Sequence, residues 1–159
     1  MVTLDILRDT RERLPWSFEP FDVTTDDVTI ETGDYTLPEF CDFDEELETY
    51  YPQYAIERKS GDDFMESITH EMKRFQQEIR RACRWEDPLL VIVEEPKSPS
   101  RYQDDFIDFY DVGREQVFST VDTLEREYNV RFRFARNRNQ AQRVAYDSLF
   151  SRLRSRLVS

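Results

Sequence analysis

The chain has 159 residues and a formal net charge of −12, with 34 Asp+Glu against 22 Lys+Arg. That length suits one domain with one good core, and an aromatic fraction of 14% argues against disorder despite the charge. Two cysteines and one histidine exclude a disulfide scaffold, a structural zinc site and a histidine metal triad, and with neither a membrane-length apolar run nor a leader the expectation is an acidic cytoplasmic protein whose charge, at face value, disfavours nucleic acid.

In chain order, residues 2–7 alternate as a short apolar strand that ends in the polar turn 8–13. Residues 28–30 and 35–37 flank Gly33 and Asp34 and read as strands. Residues 38–53 hold six acids and no base, which predicts a solvated acidic insertion in a hairpin. Residues 54–57 resume the strand. Phe64, Ile68, Met72, Phe75, Ile79 and Cys83 then step by three or four, predicting one continuous helix with Asp62 or Asp63 at its N-cap. Residues 89–93 form an unbroken apolar run, the pattern of a central strand buried on both faces. Residues 97–110 read as a polar loop and 112–128 as a second helix carrying Val117, Val121 and Leu124. Val130, Phe132 and Phe134 alternate as a further strand. Residues 140–157 read as a closing helix with Val144, Leu149, Leu153 and Leu157 on its apolar side. The order β-β-β-α-β-α-β-α predicts an α/β fold, a mixed central sheet flanked by helices. No repeat or linker divides the chain, so residues 1–159 are expected to form a single domain.

Charge is unevenly placed. Residues 130–159 carry eight arginines and one acid, a balance of +7, against −19 for the remainder. A basic end on an acidic body suggests an edge that meets a polyanion. Arg131, Arg133, Arg136 and Arg138 are the candidate DNA contacts there, with Arg74 on the central helix. Lysine is nearly absent: Lys59, Lys73 and Lys97 leave 19 of the 22 basic residues as arginine. Abundant carboxylates with scarce lysine resemble the proteins of salt-in halophiles, such as haloarchaea and their viruses. In molar salt the Debye length is ~3 Å and self-repulsion is muted. An ordinary acidic protein with biased codons is the alternative.

The chemistry collects in a short segment. Asp34 ends one strand, and Glu57 and Lys59 lie on the next. Two carboxylates across a hairpin can share one hard cation, since Mg²⁺ takes oxygen ligands and keeps several waters. Glu57 and Lys59 are two apart, so on a strand they share a face. That sets an ammonium beside the hydrolytic water, where it can orient the nucleophile and offset developing charge. The Arg58 side chain points to the other face, but its backbone carbonyl lies between the two and is a possible further ligand. Acid-spacer-acid-x-Lys also recurs by chance in so acidic a chain. A turn aspartate at Asp34 and an exposed charged row at residues 57–59 would look the same.

Further residues fit one family. Asp9-x-Arg11-Glu12 is followed by Gly33-Asp34, then by Glu57-Arg58-Lys59 with Asp63 four positions beyond the lysine. Arg74, Phe75 and Gln77 fall on the helix, and Glu94 ends the apolar strand. In this order and spacing the chain resembles the nuclease domain of the XPF family (XPF/Hef-type), the structure-specific endonucleases. The resemblance implies a restriction-endonuclease-like core and Mg²⁺- or Mn²⁺-dependent cleavage of branched, flapped or forked DNA in repair or recombination. It implies that Asp34 and Glu57, with Asp9 and the Arg58 carbonyl, hold the metal, and that Lys59 is the catalytic lysine. Glu12 would be a further active-site acid. Arg58 and Arg11 would hold the site or a phosphate, while Asp63 and Gly33 would support it. A lysine kept there, in a chain that otherwise uses arginine, suits the chemistry of a compact, deprotonatable ammonium.

The family's helix-hairpin-helix module has no counterpart in these residues, and the connection from Asp34 to Glu57 is longer than usual. Family nuclease domains commonly dimerise, which makes a homodimer or heterodimer an expectation. The apolar side of the last two helices is the expected interface. Two alternatives remain open: a non-catalytic DNA-binding scaffold of nuclease fold, and a restriction-type or RNA-directed nuclease on the same core.

Overall fold

The computed structural model describes residues 2–94 and 113–158. The loop expected at 97–110 lies outside them. β1 (Leu4–Asp9) buries Leu4, Ile6, Leu7 and Asp9. β2 (Val23–Ile30) runs parallel to it, with Leu4 opposite Val23 and Asp9 opposite Val28. Parallel neighbours need a long crossover. Here it is irregular chain carrying Trp16 and Phe18, both fully buried. Phe18 takes φ 55, a conformation rare for a bulky residue. Its N–H donates to Gln142 Oε1 at 2.7 Å.

The expected acidic insertion is an ordered part of the sheet. A 3₁₀ turn (Pro38–Phe40) seats the buried Phe40. β4 (Cys41–Asp44) and β5 (Thr49–Pro52) then form an antiparallel hairpin, and β5 pairs in parallel with the end of β2. β3 (Tyr35–Thr36) lies antiparallel to both β1 and β6 (Ile56–Ser60). β7 (Leu89–Glu94) and β8 (Val130–Ala135) continue in parallel. The sheet has eight strands in the order β4-β5-β2-β1-β3-β6-β7-β8.

The helix expected across residues 64–83 is broken. α1 (Gly61–Ile68) and α2 (Met72–Arg80) are separated at Thr69, whose hydroxyl donates to Met65 O at 2.6 Å. This back-bonding competes with the helical ladder. The apolar stripe survives the break through Phe75 and Ile79, but α2 ends before Cys83. The cysteine is exposed, and Ala82 and Trp85 are the buried residues beyond α2. The N-cap is Ser60, not Asp62 or Asp63. Ser60 is extended and its Oγ accepts the Asp63 N–H at 3.1 Å. α3 (Arg114–Glu127) and α4 (Arg138–Val158) follow. α4 buries Ala141, Gln142, Ala145, Leu149 and Leu153, while Leu157 is exposed.

β7 is apolar throughout because both its faces are covered. Leu89, Val91 and Val93 pack with Phe64, Phe75, Val117 and Leu124 from α1, α2 and α3. Leu90 and Ile92 pack with Trp16, Tyr35, Leu149 and Leu153 on the α4 side. Val117 and Leu124 of α3 and Ala141, Ala145, Leu149 and Leu153 of α4 are core, while Phe118, Leu157 and Val158 of the same helices stay exposed. No helix among the described residues is long and apolar enough to cross a membrane. Ile92→Ala should cost about 2–5 kcal/mol in a denaturant titration, because a fully buried side chain on the two-faced strand leaves a cavity that cannot collapse.

Candidate active site

Asp34 is placed by a turn that only glycine can make. Gly33 has φ +91, and a Cβ there would sit 2.7 Å from the Ala55 Cβ. The close approach lets the Asp34 N–H donate to Ile56 O at 2.8 Å, while the Asp9 N–H donates to Asp34 O at 2.8 Å. The Asp34 peptide thus ties the end of β1 to β6. Asp34 Oδ2 accepts the Arg58 N–H at 2.8 Å.

Glu57 follows on β6 and lines the same cleft as Asp34. Burial, then the charge and hydrogen bond of Glu57, push the Asp34 carboxyl well above the usual carboxylate range. Two crowded, half-buried carboxylates are an unfavourable arrangement without a cation. The donor set is all hard oxygen and suits Mg²⁺ or Mn²⁺ that retains waters. Among the described residues, no group of three or more His, Cys, Asp or Glu converges as a metal cage. The pair lines a cleft of about 180 Å³ with Arg11, Glu31, Gly33, Glu78 and Arg81.

Strand alternation divides the rest. Lys59 lies on the Glu57 face, its Nζ 5.1 Å from the centroid of the Phe75 ring. It lines an adjoining cleft with Asp63, Arg74 and Glu78. The Arg58 side chain goes the other way. Its Nη2 donates to Glu94 Oε2 at 2.6 Å, its Nη1 lies 3.7 Å from Glu12 Oε2, and its Cζ lies 5.8 Å from the Trp16 ring centroid. Arg58 Nε is buried without a partner. Glu94 also accepts the Trp16 Nε1–H at 2.8 Å. Glu12 accepts the Tyr35 hydroxyl at 2.8 Å, and burial raises the Glu12 carboxyl above its ordinary value.

Several expected site residues are held by partners of their own. Asp9 is fully buried: Oδ1 accepts the Ile30 N–H and Oδ2 accepts Arg11 Nε, so both oxygens are already engaged. Arg11 also donates from Nη2 to Ile30 O at 2.9 Å. Arg138 donates to Leu14 O and Pro15 O and faces Glu94 at 3.7 Å. Arg131 donates to Glu125 O and Val130 O. Arg133 and Arg136 are exposed, and Arg133 lines a groove with α4 residues, on the face opposite Glu57 and Lys59. Glu31, Glu78, Arg81 and the hub Glu94 were not singled out from the sequence as site residues. The i, i+3 spacing of Glu78 and Arg81, beside the buried Phe75 and Ile79, is the signal that could have found two of them.

The sequence matches the ERCC4 domain over residues 8–147. The chain belongs to the ERCC4 domain family. It superposes on XPF from Aeropyrum pernix with a TM-score of 0.65 at 19% identity, covering 96% of this chain and 65% of that one. The same protein in complex with DNA superposes with a TM-score of 0.67 at 24% identity, covering 96% and 66%. The chain thus spans about two thirds of the length of the XPF chains it matches. A search of curated proteins returned no match. The eight-stranded mixed sheet flanked by helices is the restriction-endonuclease-like fold of the XPF nuclease domain.

The raised Asp34 carboxyl sets a pH dependence. Its ionised form is disfavoured in the fold, so its stabilising contribution is present below the unfolded carboxylate range and lost as pH rises through the elevated value. In EDTA, Asp34→Asn should therefore melt higher than the parent at neutral pH and lose that advantage in acid. Thermal melts across pH check this.

Proposed function

We propose that this chain is a divalent-metal-dependent DNA endonuclease acting on flapped, forked or otherwise branched DNA in repair or recombination. The observation that carries the reading is the facing pair Asp34 and Glu57 with Lys59 two residues on along the same face of β6. Membership of the ERCC4 family and the fold shared with a DNA-bound XPF support it.

In this reading Asp34 and Glu57 hold Mg²⁺ or Mn²⁺, with the Arg58 carbonyl as a third donor. The cation supplies Lewis acidity at the scissile phosphate. Lys59 reaches into the groove from above Phe75, where its ammonium orients the attacking water and offsets charge that builds on the phosphoryl oxygens. Glu57 accepts from the water on that same face. Arg58 acts from below the sheet: its guanidinium anchors β6 to Glu94 and Glu12, and its N–H aims the Asp34 carboxylate. Asp9 holds Arg11 at the mouth of the cleft and is a brace, not a ligand. Branch specificity would come from a further subunit or domain, since the described residues include no base-reading element. The acid-rich, lysine-poor surface belongs to a protein that works in high salt inside the cell.

Labelled flap, fork and duplex DNA incubated with Mn²⁺ should be nicked by the wild type. Asp34→Ala, Glu57→Ala and Lys59→Ala should each lose at least about a hundredfold in rate. Equal cleavage by wild type and all three variants would sink the site. DNA binding without turnover would leave the scaffold reading. Thermal stability and cleavage should both improve from dilute buffer to molar KCl; precipitation in molar salt would remove the halophile component.

A further inference from the structure

α2 carries a charged stripe over the groove. Arg74, Glu78 and Arg81 stand at i, i+4 and i+7, so they share one face with a rise of about 10 Å. Arg81 caps the helix and keeps the αR conformation, which continues that face. Glu78 borders both clefts. The one with Asp34, Glu57, Arg11 and Arg81 meets the one with Lys59, Asp63 and Arg74 at this residue. Together they form one groove between β6 and α2. Lys59 and Arg74 line the one cleft, and Arg11 and Arg81 line the other together with the carboxylate pair.

The cations differ in how firmly they are held. Arg11 is tied by Nε to Asp9 and by Nη2 to Ile30 O. Arg81 is 51% exposed and its Nε lies 3.9 Å from Glu31 Oε1, beyond hydrogen-bond reach. Its guanidinium makes no hydrogen bond among the described residues. Glu31 is itself engaged through Oε2 by the Thr32 hydroxyl. A polyanion threaded past Glu31, Asp34, Glu57 and Glu78 is repelled at the centre of the groove and needs cations on both flanks. The planar guanidinium fork suits phosphate oxygens.

We propose that Arg81 is a DNA-phosphate contact on the flank of the cleavage position opposite Lys59 and Arg74, with Glu78 as the carboxylate that weakens this backbone track. The inference rests on the nuclease reading and extends it to a residue outside the catalytic set.

The test is equilibrium binding of the full chain to a fluorescent flap duplex, in EDTA so that no cleavage intervenes, across a KCl series. Arg81→Ala should weaken binding roughly tenfold and lower the slope of log K against log[KCl] by about one. Arg81→Lys should keep the wild-type slope, because one charge is retained. Glu78→Gln should tighten binding. Arg84→Ala, at an exposed position in the turn beyond α2, should change neither slope nor affinity. An Arg81→Ala slope equal to that of wild type overturns the track; Asp34-dependent cleavage by the same wild-type preparation would show that the nuclease reading stands. Absence of DNA binding by the wild type overturns both.

Discussion

Arg58 carries its guanidinium into the protein from the strand that also carries Glu57 and Lys59, on the opposite face. A buried cation is tolerated only with paired charge and hydrogen bonds. Those come from Glu94 at the end of β7, Glu12 in the crossover, and the ring of Trp16. The partners come from two other segments, the end of β7 and the crossover, so satisfying one side chain of β6 fixes where three segments meet. The same residue's N–H holds Asp34 Oδ2. The geometry of the carboxylate pair above the sheet therefore depends on a charge network below it, and a change at Glu94 or Trp16 acts on the site without touching it.

β7 supplies the rigid reference for this arrangement. Its odd residues enter one core and its even residues the other. β6 pairs with it in register from Ile56 opposite Leu90 to Ser60 opposite Glu94. A slip of one residue would exchange Arg58 with Glu57 and Lys59, burying two charged groups and expelling the paired one. The alternation is thus held by the cost of the wrong face. Ser60 ends the strand and caps α1, which sets α2 over the groove through the break at Thr69.

Much of this was legible locally. The positions of β1, β7 and β8, the Gly33 turn and the shared face of Glu57 and Lys59 follow from alternation and from one glycine. The break in the helix was not legible, because the apolar stripe continues across it and only the Thr69 hydroxyl marks it. The hairpin of residues 41–52 was hidden by its acids: Asp42 and Glu46 are exposed, and the pairing of β5 with β2 is a long-range choice. The internal partners of the basic tail were not legible either. Arg138, Arg152 and Arg156 bind Leu14 O and Pro15 O, Asp87, and Glu39 O respectively, which fastens α4 to the crossover, the turn before β7 and the insertion.

The sequence by itself determined the order of the motifs, the central apolar strand and which side of β6 bears Glu57 and Lys59, because strand periodicity is a property of the backbone alone. Only the tertiary structure decided that Asp9 is sealed against Arg11 and Ile30, that Arg131 and Arg138 bond backbone carbonyls, and that Glu78 and Arg81 line the clefts. Those outcomes depend on which charges find partners when distant segments meet, and partner choice is a matter of distance and burial that spacing along the chain does not encode.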